Sequence, residues 1–199
     1  MTGETSTNGG PGRRPTFAER RERRAQVDDE TVVLEAAARF LEPRARSVAE
    51  VRRRLTGAGY QVVLVEGVIE RLLEFGILDD AAFAQAWIES RDRARPRGER
   101  AMRSELALKG VDREIVDLLL GDRRADAAEP DSEGLVTSAD EVAAERLMAR
   151  HSRSLARVGD PRQRRQRAYA LLARNGFAPD ICRAVAARID EGDVINEED

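Results

Sequence analysis

Aromatic residues make up only 4% of this 199-residue chain, with one tryptophan, Trp87, and there is one cysteine and one histidine. So little aromatic bulk argues against a sandwich core. It favours helices packed through small side chains, since alanine and leucine are abundant and form helices well. Cys182, being alone, excludes an internal disulfide and fits a reducing compartment; beside Ile181 it reads as a packing residue rather than a reactive thiol. With Cys182 and His151 as the sole residues of their kinds, the usual zinc sites and nucleophile-base constellations cannot be assembled. The chain also lacks a Walker-type phosphate loop, a Gly-x-Ser-x-Gly elbow, a His-Glu-x-x-His pair and any paired cysteine spacing. No metal, no cofactor and no catalytic activity are therefore expected. There is no run of 18 apolar residues and no apolar signal core near the start, so neither membrane insertion nor secretion is supported, and a cytoplasmic location is expected. Lys109 is the only lysine among 34 basic residues. That preference most simply reflects nucleotide bias in the genome and is not itself evidence for phosphate binding.

What is present is a repeat. A leucine, three residues, a glycine, and then apolar residues one, five and nine places further on occur three times without a gap. The first copy runs Val51, Leu55, Gly59, Tyr60, Leu64, Val68; the second Met102, Leu106, Gly110, Val111, Ile115, Leu119; the third Ala168, Leu172, Gly176, Phe177, Ile181, Val185. Spacings of four on either side of the glycine fit one face each of two helices. The glycine sits where a left-handed cap ends a helix at little cost. A helix pair of this kind cannot bury both faces alone, so tandem copies stack into a continuous core. The expected fold class is all-α: three tandem three-helix, helix-turn-helix-like repeats in an elongated arrangement, an architecture suited to binding surfaces rather than catalytic pockets.

Along the chain, residues 1–30 read as a disordered, arginine-rich tail; 20–24 could become helical on contact with a polyanion, but a solubilising arm is the better reading. Repeat one spans 31–76. Its first helix carries Val33, Ala36, Ala37, Phe40 and Leu41 and ends at Pro43. Ser47 and Glu50 form a capping box for the second helix, and the third covers 62–75, although 62–65 also has strand character. Repeat two spans 77–121. Asp79 and Asp80 invite a metal reading, but with no histidine or cysteine nearby they are better explained as helix caps, worth about 1 kcal/mol; Asp112 caps the last helix of this repeat. An acidic linker covers 122–137. It accounts for the unequal spacing of the glycines, 51 residues from Gly59 to Gly110 and 66 from Gly110 to Gly176. Repeat three spans 138–190, with Ser138 and Glu141 at the first helix start and Asp160-Pro161 at the second; His151 shares an apolar face there and reads as half-buried packing. An acidic tail covers 191–199.

The net charge is only −3, but its distribution is blocky. Residues 44–54 hold five arginines and one acid, and 150–167 seven arginines and one acid, whereas 122–145 is acidic and six acids fall in 190–199. Basic repeats alternate with acidic segments. For any single block, a solvated helix face explains the charge as well as a binding surface does.

The stretch 41–55, Leu-Glu-Pro-Arg-Ala-Arg-Ser-Val-Ala-Glu-Val-Arg-Arg-Arg-Leu, resembles the opening unit of the RecX family of RecA regulators. Residues 76–84, Gly-Ile-Leu-Asp-Asp-Ala-Ala-Phe-Ala, followed by Arg91, Arg97-Gly98 and Leu106-Ala-Leu-Lys-Gly110, are similar to its second unit. Leu171-Leu-Ala-Arg-Asn-Gly-Phe177 is similar to its closing motif. The resemblance covers about 33–189. It departs in the long tail before Val33, in the acidic insert and at Asn175, where the family often has a basic residue. The resemblance implies a curved body of three three-helix units without catalytic residues. Such a protein is a cytoplasmic modulator, usually an inhibitor, of the RecA recombinase. It engages the RecA-DNA filament and limits its extension, ATP hydrolysis and strand exchange in recombination, DNA repair and the SOS response. The expected partners are RecA, its filament and DNA itself, with the chain a monomer and no membrane involved. A filament presents a regular track of phosphates and acidic protein surface, along which several weak basic contacts add up. The residues expected to face it are Arg44, Arg46, Arg52 and Arg53 of repeat one, Arg91, Arg97, Arg100 and Lys109 of repeat two, and Arg164, Arg165 and Arg167 of repeat three. The competing reading is a sequence-specific helix-turn-helix transcription regulator. The apolar and acidic character of the helix after each glycine disfavours it.

Overall fold

The computed structural model describes residues 14–126 and 137–189, and these form ten α-helices with no strand among them. The helices are α1 (Phe17–Ala25), α2 (Glu30–Leu41), α3 (Val48–Ala58), α4 (Val62–Glu74), α5 (Asp80–Ala94), α6 (Glu99–Lys109), α7 (Arg113–Asp126), α8 (Ala139–Ala156), α9 (Pro161–Arg174) and α10 (Pro179–Arg188). After α1 they fall into three triplets, α2 to α4, α5 to α7 and α8 to α10. The 62–65 segment is helical. The acidic tail, most of the acidic linker and residues 1–13 lie outside the described residues.

One local device recurs at the second turn of every triplet. Gly59, Gly110 and Gly176 have φ of 107°, 78° and 85°. In each copy the amide after the glycine donates back to the carbonyl of the repeat leucine: Tyr60 to Leu55 at 3.3 Å, Val111 to Leu106 at 3.1 Å, and Phe177 to Leu172 at 3.4 Å. The glycine amide bonds one residue further on, to Thr56, Ala107 and Ala173. This is a Schellman cap, which satisfies the last carbonyls of the helix and brings the residue after the glycine against the leucine five positions back. Both members of each pair are buried. The leucine, the glycine and the apolar residue after it are therefore one physical unit, repeated three times.

The cores follow from the same spacing. In the first triplet α2 packs on α4 and the buried residues include Val33, Ala37, Val51, Leu55, Val65, Val68, Ile69 and Leu72. In the second, α7 packs on α5 and α6 around Phe83, Ala84, Ile88, Met102, Leu106, Val116 and Leu120. In the third, the three helices pack mutually around Ala144, Leu147, Ala168, Leu172, Phe177, Cys182 and Val185. The described residues divide into two compact units. One comprises those up to Arg44 with Val51–Ile77; the other comprises Ala45–Glu50 and everything from Leu78. The second and third triplets thus belong to a single unit.

Two boundaries differ from expectation. Residues 17–25, expected to be part of a disordered tail, form α1. Thr16 and Glu19 make a reciprocal capping box, with bonds of 3.2 and 2.6 Å, and the Gln61 side chain donates to the carbonyls of Ala25 and Val27 where the chain leaves the helix. A side chain at Gly59 would meet the Arg21 carbonyl oxygen at 2.7 Å, so the absence of one there admits α1. The acidic linker begins later than expected, because α7 runs through Gly121 to Asp126. A helical glycine costs about 1 kcal/mol, and the ion pairs that Arg123 makes two residues further on offset it.

Candidate functional site

Three of the four basic residues expected of repeat two, Arg91, Arg97 and Lys109, belong to a network that holds the helices together. The Glu105 carboxylate on α6 accepts from the Trp87 indole N–H at 2.8 Å and from Arg91 Nε at 2.6 Å, both on α5, and lies 3.5 Å from Arg97 Nε. The Arg91 guanidinium stands 4.3 Å from the Trp87 ring centroid and Lys109 Nζ 5.2 Å from it. Lys109 also pairs with Glu50 at 2.8 Å. Ser47, fully buried, caps α3 by accepting from the Glu50 amide and donates its hydroxyl to the Lys109 carbonyl at 2.6 Å. Asp79 caps α5. Asp80, which shared the capping role in the sequence reading, instead accepts from the Val48 amide at 2.9 Å.

Between the second and third triplets lies a second cluster. Arg123, only 8% exposed, bonds Asp92 of α5 through Nε and Nη2, both at 2.8 Å, and Asp140 of α8 through Nη1 at 2.7 Å. The other Asp140 oxygen accepts from the Glu99 amide at the start of α6. Burial alone would lower the pKa of Arg123, but the two carboxylates reverse this and hold it above the ordinary arginine value. Nearby, Arg97 Nη1 donates to Asn175 Oδ1 at 2.6 Å and the Gly98 amide to the Asn175 carbonyl at 3.0 Å. A basic side chain at 175 would repel Arg97 where asparagine accepts from it.

The eleven expected contact residues therefore separate into two groups. Arg91, Arg97 and Lys109 are committed to the network. Arg52 makes a two-point ion pair with Glu66 at 2.7 and 2.8 Å, which holds that carboxyl below its usual range. Arg46 is half-buried, as is Arg164, whose Nε donates to the Val158 carbonyl. Arg44, Arg53, Arg100, Arg165 and Arg167 are exposed. Residues that sequence reasoning did not single out do much of the structural work: Glu105, Arg123, Asp92 and Asp140. Arg123 was legible in principle, since it continues the three- and four-residue spacing of Val116 and Leu120. His151 is half-buried, as expected. Cys182 is fully buried, its thiol directed at the Phe177 carbonyl, and burial pushes its pKa up.

The helix after each glycine turns one apolar face inward: Val65, Val68, Ile69 and Leu72 of α4, Val116 and Leu120 of α7, Cys182, Val185 and Ala186 of α10. What α4 and α7 expose includes Val62, Val63, Leu73 and Leu118, a poor set for reading base edges.

Comparison with known proteins agrees with this organisation. The model described as RecX, first three-helix domain, matches residues 34–72, and that described as RecX, second three-helix domain, matches residues 79–120. The regulatory protein RecX of Mycobacterium sp. (strain JLS) is 36% identical over 143 residues, covering 72% of this chain and 73% of that protein. The chain belongs to the RecX family. Regulatory protein RecX of Mycobacterium avium (strain 104) is 32% identical over 152 residues, 76% of this chain and 81% of that one. The crystal structure of RecX from Lactobacillus salivarius shares the fold, with a TM-score of 0.66 at 17% identity, covering 82% of this chain and 98% of that one. In RecX terms, α2 to α4 form the first domain and α5 to α7 the second. The RecX family is one of regulatory proteins, and among the described residues no helix is long and apolar enough to cross a membrane.

Proposed function

We propose that this chain regulates the RecA recombinase, as an inhibitor, by binding the RecA-DNA filament and restraining its extension, ATP hydrolysis and strand exchange during DNA repair. Membership of the RecX family carries this reading. The exposed arginines support it: Arg44 and Arg53 in the first unit and Arg100, Arg165 and Arg167 in the second are surface charges that an anionic polymer can meet at several points. The role needs no catalytic group of its own, and the two side chains most suited to nucleophilic or acid-base work serve packing instead, Cys182 buried and His151 half-buried. A cytoplasmic location follows from the proposed partner.

RecA ATPase on single-stranded DNA, measured with the protein below stoichiometric amounts, is expected to fall; an unchanged rate at every ratio would overturn the reading. Within it, Arg100→Glu combined with Arg165→Glu is expected to weaken filament binding and flatten its salt dependence. Arg97 is unsuited to that test, because reversing it also breaks its bond to Asn175.

A further inference from the structure

We propose that a groove in the first unit, walled by α1, α2 and the C-terminal half of α3, binds single-stranded nucleic acid. The groove has a volume of about 600 Å³. Five arginines line it, Arg20 and Arg24 from α1, Arg39 from α2, and Arg53 and Arg54 from α3, and none of the lining residues is acidic. Interleaved with them are three rings, Phe17, Phe40 and Tyr60. The Arg24 guanidinium stands 5.7 Å from the Tyr60 ring centroid and that of Arg54 5.6 Å from Phe40. Arg20 is steadied by a 2.8 Å bond from Nη1 to the Pro15 carbonyl.

Charge and shape together choose the occupant. Four arginines on the short α1 and only two glutamates make it a weak core element, and no residue of it is buried. Yet it is capped and positioned so that Arg20 and Arg24 face Arg53 and Arg54 across one channel. Phe17 is 62% exposed, an apolar ring left in water beside these charges. Arg39 pairs with Glu35 at 2.8 Å; phosphates account for the other four arginines, and an unstacked base accounts for Phe17 and the guanidinium planes, the combination by which proteins hold single strands. A duplex would supply the phosphates but keep its bases stacked. An acidic peptide would use the arginines and leave Phe17 unexplained.

This inference deepens the proposed function and rests on it for its setting, a filament formed on DNA. The test is fluorescence anisotropy of labelled single-stranded oligothymidylate with the full chain, in a salt series. Three variants are compared: Arg20→Glu with Arg53→Glu in the groove, Phe17→Ala, and a control pair, Arg93→Glu with Arg113→Glu, of equal charge change outside it. Circular dichroism verifies that each is folded. The groove pair is expected to weaken binding at least tenfold and to reduce the slope of log affinity against log salt by about 1.4. Phe17→Ala is expected to cost about fivefold or more on single strands and little on duplex. Equal losses from the groove and control pairs would reduce the effect to net charge and overturn the proposal. So would unchanged oligonucleotide binding in the groove pair, with or without lost binding to a polyglutamate peptide; a loss there would make the groove a protein-docking surface. If the chain still inhibits RecA ATPase while the groove variants bind oligonucleotide normally, this inference fails and the proposed function stands. If the groove variants lose oligonucleotide and the parent has no effect on RecA, the reverse holds.

Discussion

Arginine supplies nearly all the positive charge of this protein, but its side chains do several kinds of work that the sequence does not distinguish. Arg123 is the clearest example. It is nearly buried and engages two carboxylates from different triplets, and removing one member of such a cluster leaves the others desolvated and unpaired. Arg123→Ala is expected to lower the stability of the second unit by about 3 kcal/mol, read as a fall in the denaturation midpoint; a change within error would mean that Asp92 and Asp140 are solvated after all. Glu66 illustrates a milder coupling. Its hydrogen bonds with Arg52 lower its pKa, so its charged form adds stability above the ordinary carboxylate range, and that contribution disappears as the pH falls through the lowered midpoint. NMR titration of the Glu66 carboxyl should show the low midpoint in the parent and its return toward the ordinary value in Arg52→Ala.

At the scale of elements, the glycines divide into those demanded by backbone geometry and those demanded by neighbours. Gly110 has a positive φ, the conformation of a Schellman cap, and its role was legible because the leucine and the apolar residue after the glycine frame it in every copy. Gly98 has φ −74°, which any residue adopts. It is confined instead by a backbone from the next triplet: a side chain there would meet the Gly176 carbonyl carbon and the Phe177 Cα at 2.5 Å each. Gly98→Ala is therefore expected to cost about 1–3 kcal/mol through overpacking. Gly57→Ala, with nothing within 4 Å, should be neutral or stabilising by thermal melting. Equal midpoints for the two would show that α6 and the turn after α9 separate freely. Helix α1 escaped the sequence reading because Phe17, Ala18 and Ala25 are the only apolar residues among its nine and none of them is buried; its remaining signal was the Thr16 and Glu19 spacing.

For the whole molecule, the consequence is that repetition in sequence does not mean independence in space. The second and third triplets share Arg123, the Arg97 to Asn175 bond and the Gly98 contact, and they form one unit. Trp87, the only tryptophan, reports on the second triplet and Cys182 on the third. Denaturant titrations followed by Trp87 fluorescence and by Cys182 labelling should therefore share one midpoint. Two separated transitions would mean that the triplets unfold apart.

The sequence by itself determined the all-helical class, the three triplets and their turns, because those follow from local periodicity and from a glycine conformation that only neighbouring residues need to satisfy. The division of the arginines was decided only by the tertiary structure. Whether a guanidinium meets water, an indole face or a carboxylate 31 residues away, as Arg123 meets Asp92, depends on which helices pack together, and no spacing along one helix encodes that. Arg91, Arg97 and Lys109 looked like free surface charge and hold the fold, while Arg20 and Arg24, read as part of a disordered tail, line a groove.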